Sequence, residues 1–199
     1  MPSLDETIKD LQQRLEYGRE LGGTGTDPIY YLVFPVSEIL LAKRKLKLWK
    51  SQLELQNWEV VVCSMHKLVQ DVFQKDKHRA NSLAGEKLAL LAGANLKDGI
   101  QTKDITTTLT ATLTEGNEII ENIQEALKEA CSKNKGILII TDLEALHPFM
   151  RINSIEAKLQ GLVECPIVVF YPGKREGRTS LRFLEIYPPD PNYRSEHLG

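Results

Sequence analysis

Residues 137–151 read ILIITDLEALHPFMR, and the architecture that we predict is built around this segment. Four branched apolar residues, Ile137–Ile140, follow a glycine, which is typical of a strand buried on both faces. Such strands belong to parallel sheets that are covered by helices. The apolar run stops at Thr141, so Asp142 is predicted to lie at the carboxyl end of the strand. Open α/β sheets usually bind their ligands at that edge.

A second apolar run, Pro166–Tyr171, predicts the next strand, which we expect to stop at the turn dipeptide Pro172-Gly173. Asn153–Glu164 lies between the two runs and predicts a helix, with Asn153 as its N-cap and Glu156 completing a capping box. The predicted buried stripe of this helix is Ile155, Leu159 and Leu162. Together the three segments predict a right-handed βαβ unit.

Four short motifs follow one another along the carboxyl-terminal part of the chain. They are Leu146-x-Pro148-Phe149-x-Arg151, Pro166–Gly173, Leu181-x-Phe183 and Asn192-Tyr193-Arg194. In this order they resemble the BrxB family of bacterial and archaeal BREX phage-defence systems. The resemblance is densest over the last quarter of the chain and rests mainly on element order elsewhere.

The resemblance implies a small cytoplasmic component of a phage-restriction system. The family is associated with a PglZ-type protein of the alkaline-phosphatase superfamily, and it works beside a methyltransferase and a large ATPase. We therefore expect a non-enzymatic adaptor without a cofactor, whose partners are the PglZ-type protein and other BREX components.

Composition supports one globular domain over residues 1–199, with an N-terminal helix in 1–22 and a tail in 188–199. The chain has 199 residues, of which 42% are hydrophobic and 26% are charged, so it can bury one sizeable core. Its formal net charge of −2 gives no global attraction to nucleic acid or to anionic membranes.

The three cysteines are Cys63, Cys131 and Cys165, which lie far apart in or beside apolar segments. This pattern predicts reduced, buried thiols, with no disulfide framework and no CxxC metal pair. The N-terminus lacks the hydrophobic core of a signal peptide, and no apolar run approaches the roughly 20 residues that span a bilayer. We therefore expect a cytoplasmic protein that does not interact with membranes.

The remaining patterns complete an alternation of helices and strands. Ser3 and Glu6 predict a capping box for a first helix, which ends near Gly18–Leu21. The other predicted elements are a strand at Ile29–Val36, a helix at Ser37–Gln56, a strand at Trp58–Met65, a helix capped by Asn117, a charged loop at Lys174–Ser180 and an edge strand at Leu181–Tyr187. Residues 67–114 stay undecided. Beyond Pro188–Pro191, the tail Asn192–Gly199 is either a docked arm or disordered.

This element order predicts a three-layer αβα sandwich with a mainly parallel sheet. It is close to the core of the additional-strand P-loop ATPases, with Ile137–Asp142 in the position of the Walker B strand. Asp142 and Glu144 would then correspond to its acidic pair. A Walker A loop is missing, because the residues after Ile29–Val36 include no glycine or lysine to hold phosphates. The glycine-rich segment Gly22–Pro28 precedes a strand instead of following one, so it is interpreted as a linker.

Two alternatives to the adaptor remain open. A nucleic-acid-binding adaptor would use cations of the second helix and of the carboxyl-terminal third: Lys43, Arg44, Lys47, Lys50, Lys174 and Arg182. We expect the basic residues of that helix to point mostly away from the sheet. A degenerate nucleotide-binding protein would use Asp142 and Glu144. For metal chemistry, His66, Asp142, Glu144 and His147 are too sparse to predict a site, and we expect no catalytic residue.

The predicted partner-binding surface combines loops at the carboxyl edge with the aromatic residues of the tail. Its members are His147, Phe149, Arg151, Tyr171, Arg175, Arg178, Tyr187, Tyr193 and Arg194. Arginine and aromatic residues are frequent anchors of protein interfaces. Arg151 is also expected to hold its loop through backbone carbonyls or through Asp142.

Overall fold

The computed structural model describes residues 3–20, 28–75, 110–111, 113–114, 117–177, 180–189 and 195–199. The helices are α1 (Leu4–Glu20), α2 (Ile39–Leu55), α3 (Met65–Lys75), α4 (Glu118–Cys131) and α5 (Ile152–Leu159). The strands are β1 (Ile29–Phe34), β2 (Glu59–Ser64), β3 (Gly136–Thr141), β4 (Ile167–Glu176), β5 (Ser180–Phe183) and β6 (Glu196–Leu198). Short 3₁₀ turns follow β1 and β3, at Val36–Glu38 and Leu143–Ala145.

Five strands form the main sheet in the order β2-β3-β4-β1-β6, and every pair along this path is parallel. Strand β4 lies between β1 and β3, with Ile167 paired to Ile29 on one side and to Leu138 on the other. Strand β5 runs antiparallel to the last part of β4. The mainly parallel sheet that the apolar runs predict is therefore confirmed.

Helices cover both faces of the sheet, because successive side chains of each strand point to opposite sides. Leu138 and Ile140 pack in one core with α3, α4 and α5, while Ile137 and Ile139 pack in a second core with α1 and α2. Every residue of β1 and β3 is buried. The structure has the three layers that the sequence predicts.

The first helix has the predicted start. Ser3 Oγ accepts a hydrogen bond from the Glu6 amide, and Ser3 donates through its amide and its hydroxyl to Glu6 Oε2, at 2.8 and 2.9 Å. This reciprocal arrangement is a capping box. The stripe that α1 buries against the sheet is Leu4, Ile8, Leu11 and Leu15, as its spacing predicts.

The predicted start of α5 is wrong. Arg151 is its N-cap, with extended backbone, and the helix begins at Ile152. Leu162 lies beyond the end of the helix and is 50% exposed, so it does not extend the stripe of Ile155 and Leu159.

Asn117 does stand at the N-cap of α4, in the left-handed region at φ 50°, but its side chain makes no capping bond within the described residues.

The predicted stop at Pro172-Gly173 and the predicted loop Lys174–Ser180 are also wrong. Strand β4 continues to Glu176 and pairs with β5, so the two form a hairpin beyond the parallel part of the sheet. Gly173 is needed there, because a side-chain carbon at this position would overlap the carbonyl oxygen of Arg182. Strand β5 ends at Phe183 instead of Tyr187, since Leu184 and Glu185 have φ values of 51° and 61° and turn the chain.

The end of the chain is a docked arm. Residues 196–198 form β6, which pairs with Tyr30–Leu32 of β1. Side chains hold it from three elements: Arg14 of α1 pairs with Glu196, Glu156 of α5 accepts a hydrogen bond from Ser195, and Arg175 Nη1 donates to the carbonyl oxygen of His197 at 3.2 Å. Residues 190–194 lie outside the described residues.

Of the undecided stretch 67–114, α3 and a short helical piece that contains the buried Leu113 are described.

The prediction of three free thiols is wrong. Cys131, at the end of α4, and Cys165, just before β4, form a disulfide with their Cα atoms 5.1 Å apart. The two cysteines are 34 residues apart in sequence, so spacing gives no sign that the helix end and the strand start are neighbours. Cys63 is a free, buried thiol, and its burial raises the pKa to about 11.

We expect Cys131→Ser to lower the free energy of unfolding by about 3 to 4 kcal/mol, the chain-entropy value for a loop of this length. Urea unfolding with and without dithiothreitol measures the change. The reductant should destabilise the parent chain and leave Cys131→Ser unchanged, whereas Cys63→Ser should keep the effect of the reductant. Alkylation of three thiols in the unreduced, denatured chain would contradict the disulfide.

Candidate functional site

The carboxyl ends of β1, β2 and β3 meet at one edge of the sheet, because the three strands are parallel members of it. Ser64 is the last residue of β2, and Asp142 follows the last residue of β3, Thr141. The register pairs Ser64 directly with Thr141. The edge therefore has the polar strand ends that the sequence predicts, and the structure adds Ser64 to them.

Asp142 is bonded on both of its carboxylate oxygens. Its Oδ2 accepts hydrogen bonds from Ser64 Oγ at 2.6 Å and from Thr141 Oγ1 at 2.9 Å. Its Oδ1 lies 2.7 Å from Lys43 Nζ, which is also 2.6 Å from Glu144 Oε1. Lys43 thus connects α2 to both members of the predicted acidic pair. We name Lys43, Ser64, Asp142 and Glu144 the Lys43 cluster.

Lys43 is an exception to the expectation that the cations of α2 point mostly away from the sheet. Burial favours a higher pKa for Asp142, but hydrogen bonds from Lys43, Ser64 and Thr141 outweigh it and hold the pKa below its ordinary value. Burial opposes the charge of Lys43, and the two carboxylates overcome that cost and raise its pKa. Asp142 and Lys43 are therefore both charged near neutral pH, and the Lys43 ammonium lies between the carboxylates of Asp142 and Glu144.

A cavity of about 200 Å³ lies beside the Lys43 cluster, between α2 and the ends of β1, β3 and β4. Its apolar wall consists of Phe34, Ile39, Ala42, Leu46, Phe170 and Pro172. The chain leaves β1 through Pro35 into the 3₁₀ turn Val36–Glu38, without the glycine-rich backbone that surrounds a phosphate. The cavity is therefore mainly apolar, with charge on one side.

A cluster of rings lies beyond the same edge. The ring of His147 stacks on Phe183 with 3.9 Å between centroids, and Tyr187 lies 4.9 Å from His147. Tyr171 contacts Phe183 edge-on at 5.3 Å. Burial, with a smaller effect from the charge of Arg151, lowers the pKa of His147 to about 4. His147 is therefore a neutral aromatic ring at physiological pH.

The outer side of this cluster is accessible. His147, Phe149 and Tyr187 are half-buried, Arg151 is exposed, and Ile186 is 75% exposed. We name these five residues the aromatic edge surface. Ile186 directly precedes Tyr187 in the chain, and arginine and aromatic residues are frequent anchors of protein interfaces. Sequence reasoning missed Ile186, because it is one ordinary position of the predicted strand Leu181–Tyr187.

The other residues of the predicted partner surface have different positions. Tyr171 is 1% exposed and packs between Tyr31 and Phe183, so a partner cannot reach it. Arg175 is half-buried and holds β6 through the carbonyl oxygen of His197. Arg178, Tyr193 and Arg194 lie outside the described residues. The structure therefore brings four of the nine predicted residues around one small cavity, namely His147, Arg151, Tyr171 and Tyr187, and Phe149 lies two residues from His147 in the same loop.

The cations of the nucleic-acid alternative are divided among three elements, α2, β4 and β5. Lys43 and Lys50 of α2 pair with Asp142 and Glu54, and Arg182 of β5 pairs with Glu176 at 2.6 Å. The other three, Arg44, Lys47 and Lys174, are exposed. Half of the predicted cations are thus partly neutralised by acidic side chains.

The described part of the chain has neither a cluster of metal ligands nor a membrane-spanning helix. Across residues 3–20, 28–75, 110–111, 113–114, 117–177, 180–189 and 195–199, no three His, Cys, Asp or Glu side chains are grouped as metal ligands. No described helix is both long enough and apolar enough to cross a membrane. His66 is exposed near the start of α3.

Comparison with known proteins identifies the family. The sequence model of the family described as BREX protein BrxB matches residues 52–198, which is more than half of the chain. The chain belongs to the BrxB family. As a BrxB protein it is a component of a BREX phage-defence system, as the four motifs imply. No curated protein and no solved structure matches the chain.

The BrxB match contains Ser64, Asp142 and Glu144, as well as the whole aromatic edge surface. Lys43, together with α1, β1 and most of α2, lies before the first matched residue. The edge residues of this BrxB chain therefore belong to the part that the family shares, and the lysine that neutralises the acidic pair comes from outside it.

We expect Lys43→Met to lower the free energy of unfolding by about 1 kcal/mol at pH 7, because it leaves Asp142 with two donors and no cation. The lowered pKa of Asp142 gives stability above the pKa of the unfolded state, and this stability is lost as the pH falls through the folded-state pKa. The difference from the parent should therefore shrink once Asp142 is protonated. Urea unfolding at several pH values checks this.

Lys47→Met is the matched control for this substitution. Lys47 lies on the same helix and forms no ion pair in the part of the chain that the structure describes. Its replacement should change stability little at any pH. An equal loss in both variants would contradict the assigned role of Lys43.

We expect His147→Phe to make unfolding less sensitive to acid. The pKa of His147 is about 4 in the folded chain, below the ordinary 6.5, so the parent loses stability as the pH falls from about 6.5 to 4. The phenylalanine variant keeps the stack on Phe183 and takes up no proton. Its stability should fall by about 1 to 2 kcal/mol less over that range, a value reduced for the partial exposure of the ring.

Thermal or urea unfolding at pH 7, 5.5 and 4 measures this difference. His197 is present in both chains, so its own protonation cancels. Replacement of the exposed His66 by Gln serves as the control and should leave the acid sensitivity of the parent unchanged. An equal loss of stability in acid by the parent and by His147→Phe would contradict the prediction, because protonation of His147 would then not destabilise the folded chain.

Proposed function

We propose that this BREX component is a non-catalytic adaptor, and that it binds the PglZ-type protein through the aromatic edge surface. The observation that supports this most strongly is the position of Ile186. It is 75% exposed and directly precedes Tyr187, whose ring lies 4.9 Å from that of His147 beyond the edge of the sheet where α/β proteins bind ligands. Exposing such a residue costs solvation free energy unless another surface covers it.

The Lys43 cluster supports a role without catalysis. A general base or a magnesium ligand needs a carboxylate oxygen that is available to substrate or metal. Both oxygens of Asp142 accept bonds from the chain itself, and Glu144 shares the Lys43 ammonium. The acidic pair therefore has its counter-ion already, and it acts as a connection between α2 and β3.

The sheet order supports a P-loop-like core without the phosphate-binding loop. Strand β4 lies between β1 and β3. This is the position of the additional strand in that class of ATPases. The segment that would hold phosphates is the 3₁₀ turn Val36–Glu38, which presents an acidic side chain instead of glycines and lysine. We do not propose nucleotide binding, because no observation on the described residues favours it.

Nucleic-acid binding is not favoured either. Lys43, Lys50 and Arg182 are paired with carboxylates, so the basic set is weaker than its sequence indicates. An adaptor that used this set would release few counterions and would show a shallow dependence on salt. The protein partner accounts better for the exposed apolar residue at the edge.

We propose a cytoplasmic location on the basis of family membership. The cytoplasm reduces most disulfides, so the Cys131–Cys165 pair would there be held partly or wholly as two thiols. Reduction of this disulfide would therefore weaken the attachment of α4 to the start of β4 inside a cell.

We expect Arg151→Glu and Ile186→Asp each to weaken co-purification with the encoded PglZ-type protein by at least about tenfold, since central arginine and apolar anchors contribute about 2 kcal/mol. The partner is co-expressed with the tagged chain, and bound partner is quantified after purification at constant salt. Lys158→Glu is the matched control, because it reverses an exposed charge at the other end of α5 and should keep the partner bound.

Circular dichroism and melting temperature establish that each variant is folded. Tyr171→Ala is not a suitable variant, because it opens a cavity in the core and would reduce binding through instability. Equal retention of the partner by the parent, Arg151→Glu and Ile186→Asp would exclude this edge as the interface. Failure of the parent to retain the partner would exclude the PglZ-type protein as its ligand.

A further inference from the structure

A second apolar surface lies on α2, on another element than the aromatic edge surface. Leu41, Leu48 and Leu55 are 41%, 68% and 85% exposed, although α2 buries its other side in the core. The three leucines are seven residues apart. Leu40 lies beside this row and is 69% exposed. We name Leu40, Leu41, Leu48 and Leu55 the outer leucine stripe.

The spacing places the stripe on one line. Seven residues make almost two helical turns, so Leu41, Leu48 and Leu55 face the same direction over a length of about 21 Å. The residues that α2 buries, Ala42, Trp49 and Leu53, are turned away from this row by about 100 to 140° around the helix axis. The stripe is therefore an added apolar row and not an extension of the core contact.

A groove begins at Leu55, at the carboxyl-terminal end of the stripe. It lies between α1 and α2, has a volume of about 560 Å³, and is lined by Ile8 and Leu55 among polar residues. The polar lining consists of Asp5, Lys9, Gln12, Gln52 and Gln56. A row of exposed leucines at seven-residue spacing that ends at a groove matches the kind of surface on which an amphipathic helix is held by residues at the same spacing.

The unpaired charges of α2 beside the stripe are positive, because Glu54, next to Leu55, pairs with Lys50 at 3.6 Å. Arg44 lies between Leu41 and Leu48 on the surface of the helix, and Lys47 is next to Leu48. Neither residue forms an ion pair within the residues that the structure describes, whereas Lys43, Lys45 and Lys50 of the same helix pair with acidic side chains. Two cations beside the leucines are thus available to an acidic ligand.

We propose that the outer leucine stripe binds an acidic amphipathic helix of a partner protein. The leucines of that helix pack against Leu41, Leu48 and Leu55, and its carboxylates pair with Arg44 and Lys47. A second copy of the chain fits less well, because it would bring its own Arg44 and Lys47 against the same cations. Nucleic acid would pair with the cations and leave the leucines exposed. This surface is independent of the proposed PglZ-binding edge.

The test uses two fluorescent peptides of about 20 residues, each able to form one amphipathic helix. Both have leucine at seven-residue spacing; one has glutamate at the flanking positions and the other has lysine. Fluorescence anisotropy measures the binding of each to the parent chain. We expect the acidic peptide to bind at micromolar concentration and the basic peptide to bind at least tenfold more weakly.

Two substitutions separate the apolar and the ionic contributions. Leu48→Gln should weaken the acidic peptide about tenfold with no effect of salt on the difference, and Arg44→Glu should weaken it about tenfold with a difference that shrinks in high salt. Leu162→Gln, which removes an exposed leucine elsewhere, and Lys158→Glu are the matched controls and should bind as the parent does.

Several results would overturn the proposal. These are equal binding of the two peptides, no binding of the acidic peptide at about 1 mM, or unchanged binding by Leu48→Gln. Light scattering that shows a parent dimer, lost in Leu48→Gln, would assign the stripe to a second copy of the chain. Retention of the PglZ-type protein is measured separately on Leu48→Gln, so failure of this proposal and failure of the proposed function give different results.

Discussion

The parallel pairing of β4 with both β1 and β3 is the constraint on which the rest of the structure depends. A strand between two others must satisfy its backbone on both sides, and here its side chains also meet a core on each face. The pairing brings the ends of β1 and β3 to one edge. It also sets the point beyond which β4 runs free of the parallel sheet and forms the hairpin with β5.

The central strands could be predicted because their residues face apolar surroundings on both sides. Ile137–Ile140 and Ile167–Val169 leave no polar position in an alternating pattern, so their burial is evident from the sequence alone. The edge strand β6 is different. β6 has only three residues, Glu196, His197 and Leu198, and nothing in such a short sequence distinguishes a paired arm from a disordered tail.

The candidate site could be predicted only in part, because its contacts depend on long side chains and on distant segments. Asp142 follows from the position where the apolar run stops. The contact of Lys43 with Asp142 could not be predicted. The periodicity of a helix assigns a direction to each Cβ and not to an ammonium group four bonds further on. The same limit applies to the disulfide, which joins segments whose proximity depends on how α4 packs against β2 and β3. The exposure of Ile186 depends on a turn at Leu184 and Glu185, two residues that rarely adopt positive φ.

The short carboxyl-terminal strand has a consequence for the handling of the protein in solution. β6 covers the Tyr30–Leu32 part of β1, and an uncovered strand edge readily pairs with another molecule. The pKa of His197 is lowered to about 4 by burial and by the charge of Arg175, so protonation places two positive charges together under β6. In acid the arm should therefore leave the sheet before the cores unfold. Aggregation would then begin from an otherwise native molecule, and acidic buffers are a poor choice for its purification or concentration.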